Sequence, residues 1–260
     1  MNISALQSNE TTQNDPAQQQ ARIDLAASHR LAVHHGLHEG IFNHFTLAVP
    51  NTDDRYYQIP FGLHWSEVSA SSFMEVSFDG EVLVGEGEVE RSGYCIHAPM
   101  HRLSKEAACV LHTHMPFASA LARLKDQRIL PIGQTELGIA MQTAYDDVYT
   151  GPAFDPAEGE RLLGAIGDKK ILMMANHGAA TIGRTVAEAY DRMYYLERVA
   201  QVQLYAMWTG EPLHVLSQEV IDKSIAAFKA SPTYYGRSNA EHHFEALKRM
   251  LDREQPDYKD

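Results

Sequence analysis

The sequence predicts an α/β fold in a single domain spanning residues 21–260, and three observations point to it. Apolar runs of strand length recur between residues 45 and 175, helix-period patterns flank them, and no linker-like stretch divides the 260 residues. With 44% hydrophobic and 22% charged side chains, the chain is soluble in character and long enough to bury one large core.

Residues 1–20 are rich in Asn, Gln, Thr and Ser and nearly lack large apolar side chains, so they read as a flexible tail. They have neither the basic start nor the apolar stretch of about 7–15 residues that marks a signal peptide. From residue 21 to 38, Ile23, Leu25, Ala26, Leu31, Val33 and Leu37 fit a helix that ends near Gly36 or Gly40. Strand-like runs follow at 45–49, 56–59, 73–76 and 81–84, the last two joined by an Asp79-Gly80 turn, so residues 41–90 are expected to form antiparallel sheet. The runs at 107–114 and 170–175 read as interior strands, each leading straight into histidine. Pro116 opens a short helix through 124 and Asp155-Pro156 another through 166. Residues 185–207 form the clearest helix, opened by a Thr185/Glu188 capping box, and Ser238/Glu241 repeats that signal before a last helix.

Composition narrows the function. A formal charge of -12 disfavours nucleic acid and anionic membrane as partners. No run of about 18 apolar residues marks a membrane span. Two cysteines, Cys95 and Cys109, are too few for a disulfide framework, which points to the cytoplasm. The 14 histidines are about twice the share of an average soluble chain.

His112-Thr113-His114 places two imidazoles at i and i+2 on a strand, so both project from one face. Asn176-His177-Gly178 closes the second interior strand. A third imidazole from an adjacent strand would complete a facial set with open positions, suited to Zn²⁺, Mn²⁺, Fe²⁺ or Co²⁺ acting as a Lewis acid. The residues alone leave this beside a second reading, a hydrogen-bonded histidine pair at a strand end.

The order of motifs decides between them. His-Thr-His-Met-Pro-Phe-Ala-Ser-Ala-Leu-Ala (112–122), followed by Ala-Asn-His-Gly-Ala-Ala-Thr-Ile-Gly-Arg-Thr-Val-Ala-Glu-Ala-Tyr with Tyr-Tyr-Leu-Glu-Arg (175–198), resembles the class II aldolase/adducin family. The resemblance reaches back through Glu39-Gly40-Ile41-Phe42-Asn43-His44-Phe45-Thr46 and Pro60-Phe61-Gly62, covering residues 23–210 or so. It implies a three-layer α/β/α domain with a mainly antiparallel central sheet, assembled as a homotetramer with sites at subunit interfaces. It also implies that His112, His114 and His177 ligate a divalent metal, zinc first, and that Asn43 and the loop around Gly62 approach a small-molecule substrate. Sugar-phosphate aldolases, an epimerase, a dehydratase and a decarboxylase share the family and its chemistry, a metal-stabilised enediolate or enolate.

Two departures bear on the reaction. The sugar-phosphate aldolases carry an acid/base Glu behind a Ser pair about twenty residues before the His-x-His; here Arg91-Ser92-Gly93 stands there. Glu88 and Glu90 lie in an acidic turn, whereas Glu136, in Gln134-Thr135-Glu136, is similar in position to the acid/base Glu of the dehydratase branch and is the expected catalytic residue. The Asn-x-Ser-x-Arg phosphate motif is reduced to Asn43-His44-Phe45-Thr46-Leu47, without its Arg, so a carboxylate or hydroxy-acid substrate competes with a sugar phosphate. Arg91 and His64 are candidate anion contacts, and His97 and His101, four apart around Pro99, a secondary metal pair; His34, His35, His38 and His44 read as surface residues near a helix end, with a contribution to a substrate pocket as the alternative. The expected activity is a metal-dependent lyase performing retro-aldol cleavage, decarboxylation or dehydration of a small hydroxy or keto compound. An epimerase and a non-catalytic adducin-like assembly module are the alternatives; the adducin head lacks the full histidine set present here.

Overall fold

A computed structural model describes residues 15–230 and 236–260. Its centre is one eight-stranded sheet: β1 (His44–Ala48), β2 (Arg55–Gln58), β3 (Met74–Ser77), β4 (Val82–Val84), β5 (Cys109–Thr113), β6 (Thr143–Asp146), β7 (Ile171–Met174) and β8 (Ala179–Gly183). The strand order is β4-β3-β2-β1-β5-β8-β7-β6. Only the β6/β7 pair is parallel, so the sheet is mainly antiparallel as expected. Gly80, at φ +89°, closes the expected turn between β3 and β4.

Eight α-helices are described: α1 (Pro16–His34), α2 (Arg91–Leu103), α3 (Pro116–Leu121), α4 (Gln134–Ala140), α5 (Pro156–Ile166), α6 (Val186–Trp208), α7 (Gln218–Lys229) and α8 (Asn239–Glu254). Strand alternation divides the core between two helical layers. Leu111, Ile171 and Met173 point into a core shared with α1, α6 and α8, through Leu25, Leu31, Met193, Leu196 and Phe244. Val110, Leu172 and Met174 point the other way, against Ile96 and Met100 of α2 and Leu162 and Ile166 of α5. The result is the three-layer α/β/α arrangement.

Several boundaries differ from the expectation. The first helix starts at Pro16, so residues 16–20 belong to it rather than to a tail; residues 1–14 lie outside the described range. Asp15 caps it, accepting from Ala17 N–H, and Gln18 is buried, donating to the Pro50 carbonyl at 3.1 Å. Pro99 lies inside α2. A proline there leaves the Cys95 carbonyl without its helical N–H partner. α5 packs against that gap so closely that a Cβ on Gly159 would sit 2.5 Å from the Cys95 oxygen. The Thr185/Glu188 box is half formed: Thr185 accepts from Glu188 N–H, while the Glu188 carboxylate takes the Arg184 N–H instead. The Ser238/Glu241 box is complete. No helix among the described residues is long and apolar enough to cross a membrane.

Candidate metal centre

His112 sits on β5 opposite His44 of β1, in register. Its parity with Val110 turns it to the α2 face, and the next same-face position past the strand end is His114. His177 comes from the tight connection between β7 and β8, where Asn176 adopts φ +56°, a left-handed conformation that Asn tolerates. Gly178 follows for a different reason than turning: a Cβ there would lie 2.5 Å from the Thr113 carbonyl and 2.8 Å from the His114 ring. Only a residue without a side chain lets the turn press against the strand and bring His177 over the pair.

The three rings meet with centroids 4.8 to 5.0 Å apart, and one nitrogen from each lies within 4.8 Å of the others. A tetrahedral cation about 2.0–2.1 Å from each nitrogen would draw them to separations of about 3.4 Å, so the rings would close inward on binding it. The tautomers suit it. His112 Nδ1 faces the Ala179 carbonyl at 3.0 Å and must carry its proton there, leaving Nε2 a lone pair. His114 Nδ1 donates to Glu39 at 2.5 Å, and its Nε2 is buried without a partner. Both are the arrangement in which a carbonyl or carboxylate orients a metal-binding imidazole. Burial, then the neighbouring imidazoles His177 and His114, push His112 well below the usual histidine range; burial and His114 bring His177 down to about 4. Both are neutral ligands at neutral pH. A divalent cation therefore fits these residues.

The triad lies on a cavity of about 480 Å³, which Asn43, His44, Glu90, Ser92, Arg123 and Tyr149 also line. Asn43, at φ +80°, accepts the His114 backbone N–H at 3.3 Å, while its Nδ2 is buried without a partner. Glu90 caps α2, and its Oε2 takes three donors: Gly93 N–H at 2.6 Å, the Ser92 hydroxyl at 2.7 Å and His44 Nε2 at 2.8 Å. Its Oε1 accepts no hydrogen bond among the described residues. Burial raises this carboxyl, but the His44 contact, followed by the Gly93 and Ser92 bonds, outweighs it and brings Glu90 down to about 2.

The expected site residues divide. His112, His114, His177 and Asn43 share the cavity. Gly62 does not line it; its φ of +94° serves the turn after Phe61, and its surroundings are open. Glu136 does not line it either. It is buried in the first turn of α4, whose Ile139 joins the core of the α1/α6 layer, on the side of the sheet opposite the cavity. Its spacing from His114 was misleading because the chain crosses to that layer after β5. His97 and His101 are no metal pair: both bond the buried Thr46 hydroxyl, at 2.7 and 2.8 Å. Arg91 donates to the Phe154 carbonyl, and His64 caps a short turn at 65–67.

Glu90, Glu39 and His44 border the histidine cluster, a placement that composition undervalued. Glu90 was hidden in the Gly-Glu run at 85–90, where only its place ahead of Ser92-Gly93 hinted at an N-cap. At position 93 only glycine fits, since a Cβ there would lie 2.7 Å from the His44 ring. His44 fills the space that a side chain at 93 would occupy, and holds Glu90.

Comparison with known proteins agrees with this geometry. Residues 23–204 match the family described as Class II Aldolase and Adducin N-terminal domain. A Pseudomonas aeruginosa protein named as an aldolase class 2 protein is 34% identical over 99% of this chain and 98% of its own. The crystal structure of an aldolase II superfamily protein from Pseudomonas syringae superposes with a TM-score of 0.86 at 31% identity, covering 95% of this chain and 98% of that one. L-fuculose 1-phosphate aldolase from Glaciozyma antarctica shares the fold, with a TM-score of 0.78 at 21% identity over 94% and 93% of the two chains. With the motif order, the sheet topology and the histidine cluster all in place, the chain belongs to the class II aldolase and adducin family.

Proposed function

We propose that this protein is a divalent-cation-dependent lyase that cleaves, decarboxylates or dehydrates a small hydroxy or keto compound. The observation that carries the reading is the convergence of His112, His114 and His177, each neutral or orphaned at a ring nitrogen, on one cavity. A cation held there, zinc before manganese, iron or cobalt, would supply Lewis acidity that lowers the cost of negative charge on a substrate oxygen. Asn43 Nδ2 donates to a substrate oxygen beside His114. Glu90 Oε1 accepts a proton from the substrate, while the three donors on Oε2 keep the carboxylate ionised and aimed. Such a stabilised carboxylate is a weak base, which suits a substrate proton already made acidic by the bound cation. Glu39 is spent on His114 and is not available for that step. The same reading expects a homotetramer in the cytoplasm.

Metal analysis of protein purified without added metal tests the core of it. About one divalent ion per chain is expected in the native protein, and loss of most of it in His112→Ala with the far-UV circular dichroism unchanged. Full occupancy in that variant would sink the ligand assignment. Glu90→Gln should retain the metal and lower turnover about 100-fold or more, whereas Glu136→Gln should leave turnover within about twofold. The reverse pattern would transfer the acid/base role to Glu136.

A further inference from the structure

Arg123 lines the cavity from just beyond α3, and its hydrogen bonds both leave from Nη1, to the carbonyls of Ser119 at 2.8 Å and His177 at 3.1 Å. No carboxylate pairs with it among the described residues. The Nε/Nη2 edge, the fork that grips a carboxylate with two parallel bonds, is left without a protein partner. The bond to His177 ties the guanidinium to one side of the triad. On the other side, Asn43 is tied to the His114 backbone N–H and holds a buried, unpartnered Nδ2.

Charge selects the ligand. Two carboxylates, Glu39 and Glu90, line the cavity, and Arg123 is its one guanidinium; no lysine contributes. The two carboxylates oppose the charge of a divalent cation on the triad, to which the neutral His112 and His177 add none. Arg123 is the cationic side chain of the cavity lining that no carboxylate among the described residues engages. Beside two carboxylates, a phosphate dianion meets more repulsion than a carboxylate monoanion, which one guanidinium fork can pair.

We propose that Arg123 is the anchor for a substrate carboxylate, so that the site takes a small hydroxy or oxo acid rather than a sugar phosphate. This rests on the cation-dependent reading above. The carboxylate lies in the Nε/Nη2 fork, and Asn43 Nδ2 donates to an oxygen on the opposite side of the triad. Arg123 acts as a specificity residue and takes no part in proton transfer.

Binding to the zinc-loaded full chain, measured by titration calorimetry, tests it with three probes that share a metal-chelating hydroxamate. They are succinate monohydroxamate, with a distal carboxylate; its primary amide; and phosphonoacetohydroxamate. The wild type should bind the carboxylate about tenfold or more tighter than the amide, in keeping with a charge-assisted hydrogen bond, and tighter than the phosphonate. In Arg123→Gln the preference for carboxylate over amide should fall to about twofold or less, with zinc content and amide affinity unchanged. Arg123→Lys, which keeps the charge and loses the fork, should fall between the two. Equal wild-type affinities, a preference that survives in the Gln variant, or an Arg123-dependent preference for the phosphonate would each overturn the proposal. Zinc bound without any carboxylate preference removes this inference alone, whereas a wild-type chain that takes up no zinc removes the cation-dependent reading with it.

Discussion

At the scale of single residues, the site is organised by what lies behind each imidazole of the cluster. The Glu39 carboxylate on His114 Nδ1 fixes the ring so that Nε2 faces the cavity, and Glu39 is itself more than half exposed. Glu39→Gln should therefore spare the fold while weakening zinc affinity about 10- to 100-fold, the usual effect of losing such a partner; competition with a chromophoric chelator measures it, and unchanged affinity would show that His114 is positioned without Glu39. The clustered histidines were legible in the sequence because strand periodicity and motif order both select them. Glu39 was not, because nothing in Glu39-Gly40 distinguishes a ligand-orienting carboxylate from a loop acid. Glu90 was passed over for a related reason: a Gly-Glu run resembles a solvated turn until Gly93 is seen to make room for His44.

At the scale of elements, strands with large apolar side chains were readable and strands of small residues were not. β7, Ile-Leu-Met-Met, carries its own signal, whereas β8, Ala-Ala-Thr-Ile-Gly, is a strand because β5 and β7 pair with it on both edges. β6 likewise depends on its parallel pairing with β7. The reach of α1 back to Pro16 follows Asp15-Pro16, the same local opening as Asp155-Pro156, whereas the continuity of α2 through Pro99 follows from close packing with α5 that no local pattern encodes. The β7–β8 turn is the element on which the triad depends. Gly178→Ala would drive a methyl into the Thr113 carbonyl and the His114 ring, so the turn must lift. A loss of about 1–3 kcal/mol is expected, with reduced zinc retention; thermal melts and metal analysis of the same sample read both. Retention of native stability and zinc would mean the turn has slack that the close approach denies.

At the scale of the whole molecule, the chain buries histidines in both layers. His29 lies in an aromatic box of Phe45, Trp65 and Phe73, and His101 lies under Tyr56 beside Thr46. Burial holds each neutral and lowers it to about 4. Above about pH 6.5, the range of an unperturbed histidine, neither state takes up a proton and these groups do not affect stability. As the pH falls below it, the unfolded chain binds protons that the folded chain refuses, so stability falls until the folded value near 4 is reached. Each of the two accounts for on the order of 3 kcal/mol across that window. The melting temperature of metal-free protein should therefore drop steeply between pH 6.5 and 4, and a melting temperature flat across that range would contradict the burial of these rings in neutral form.

The sequence by itself determined the fold class, the antiparallel half of the sheet, the long helix at 185–207 and the three histidines, because each rests on a local period or on an ordered motif. Only the tertiary structure decided which carboxylate meets them. Glu136 follows His114 closely in sequence yet belongs to the opposite helical layer, while Glu90 is brought in by its helix cap and by His44 from a neighbouring strand. The excess of histidine divides in the same way. Three rings face one another at strand ends, where a cation can reach them, and others are neutral core members or hydrogen-bonding struts. Residue type alone cannot distinguish these roles, because an imidazole's chemistry is set by which of its two nitrogens the surroundings leave free.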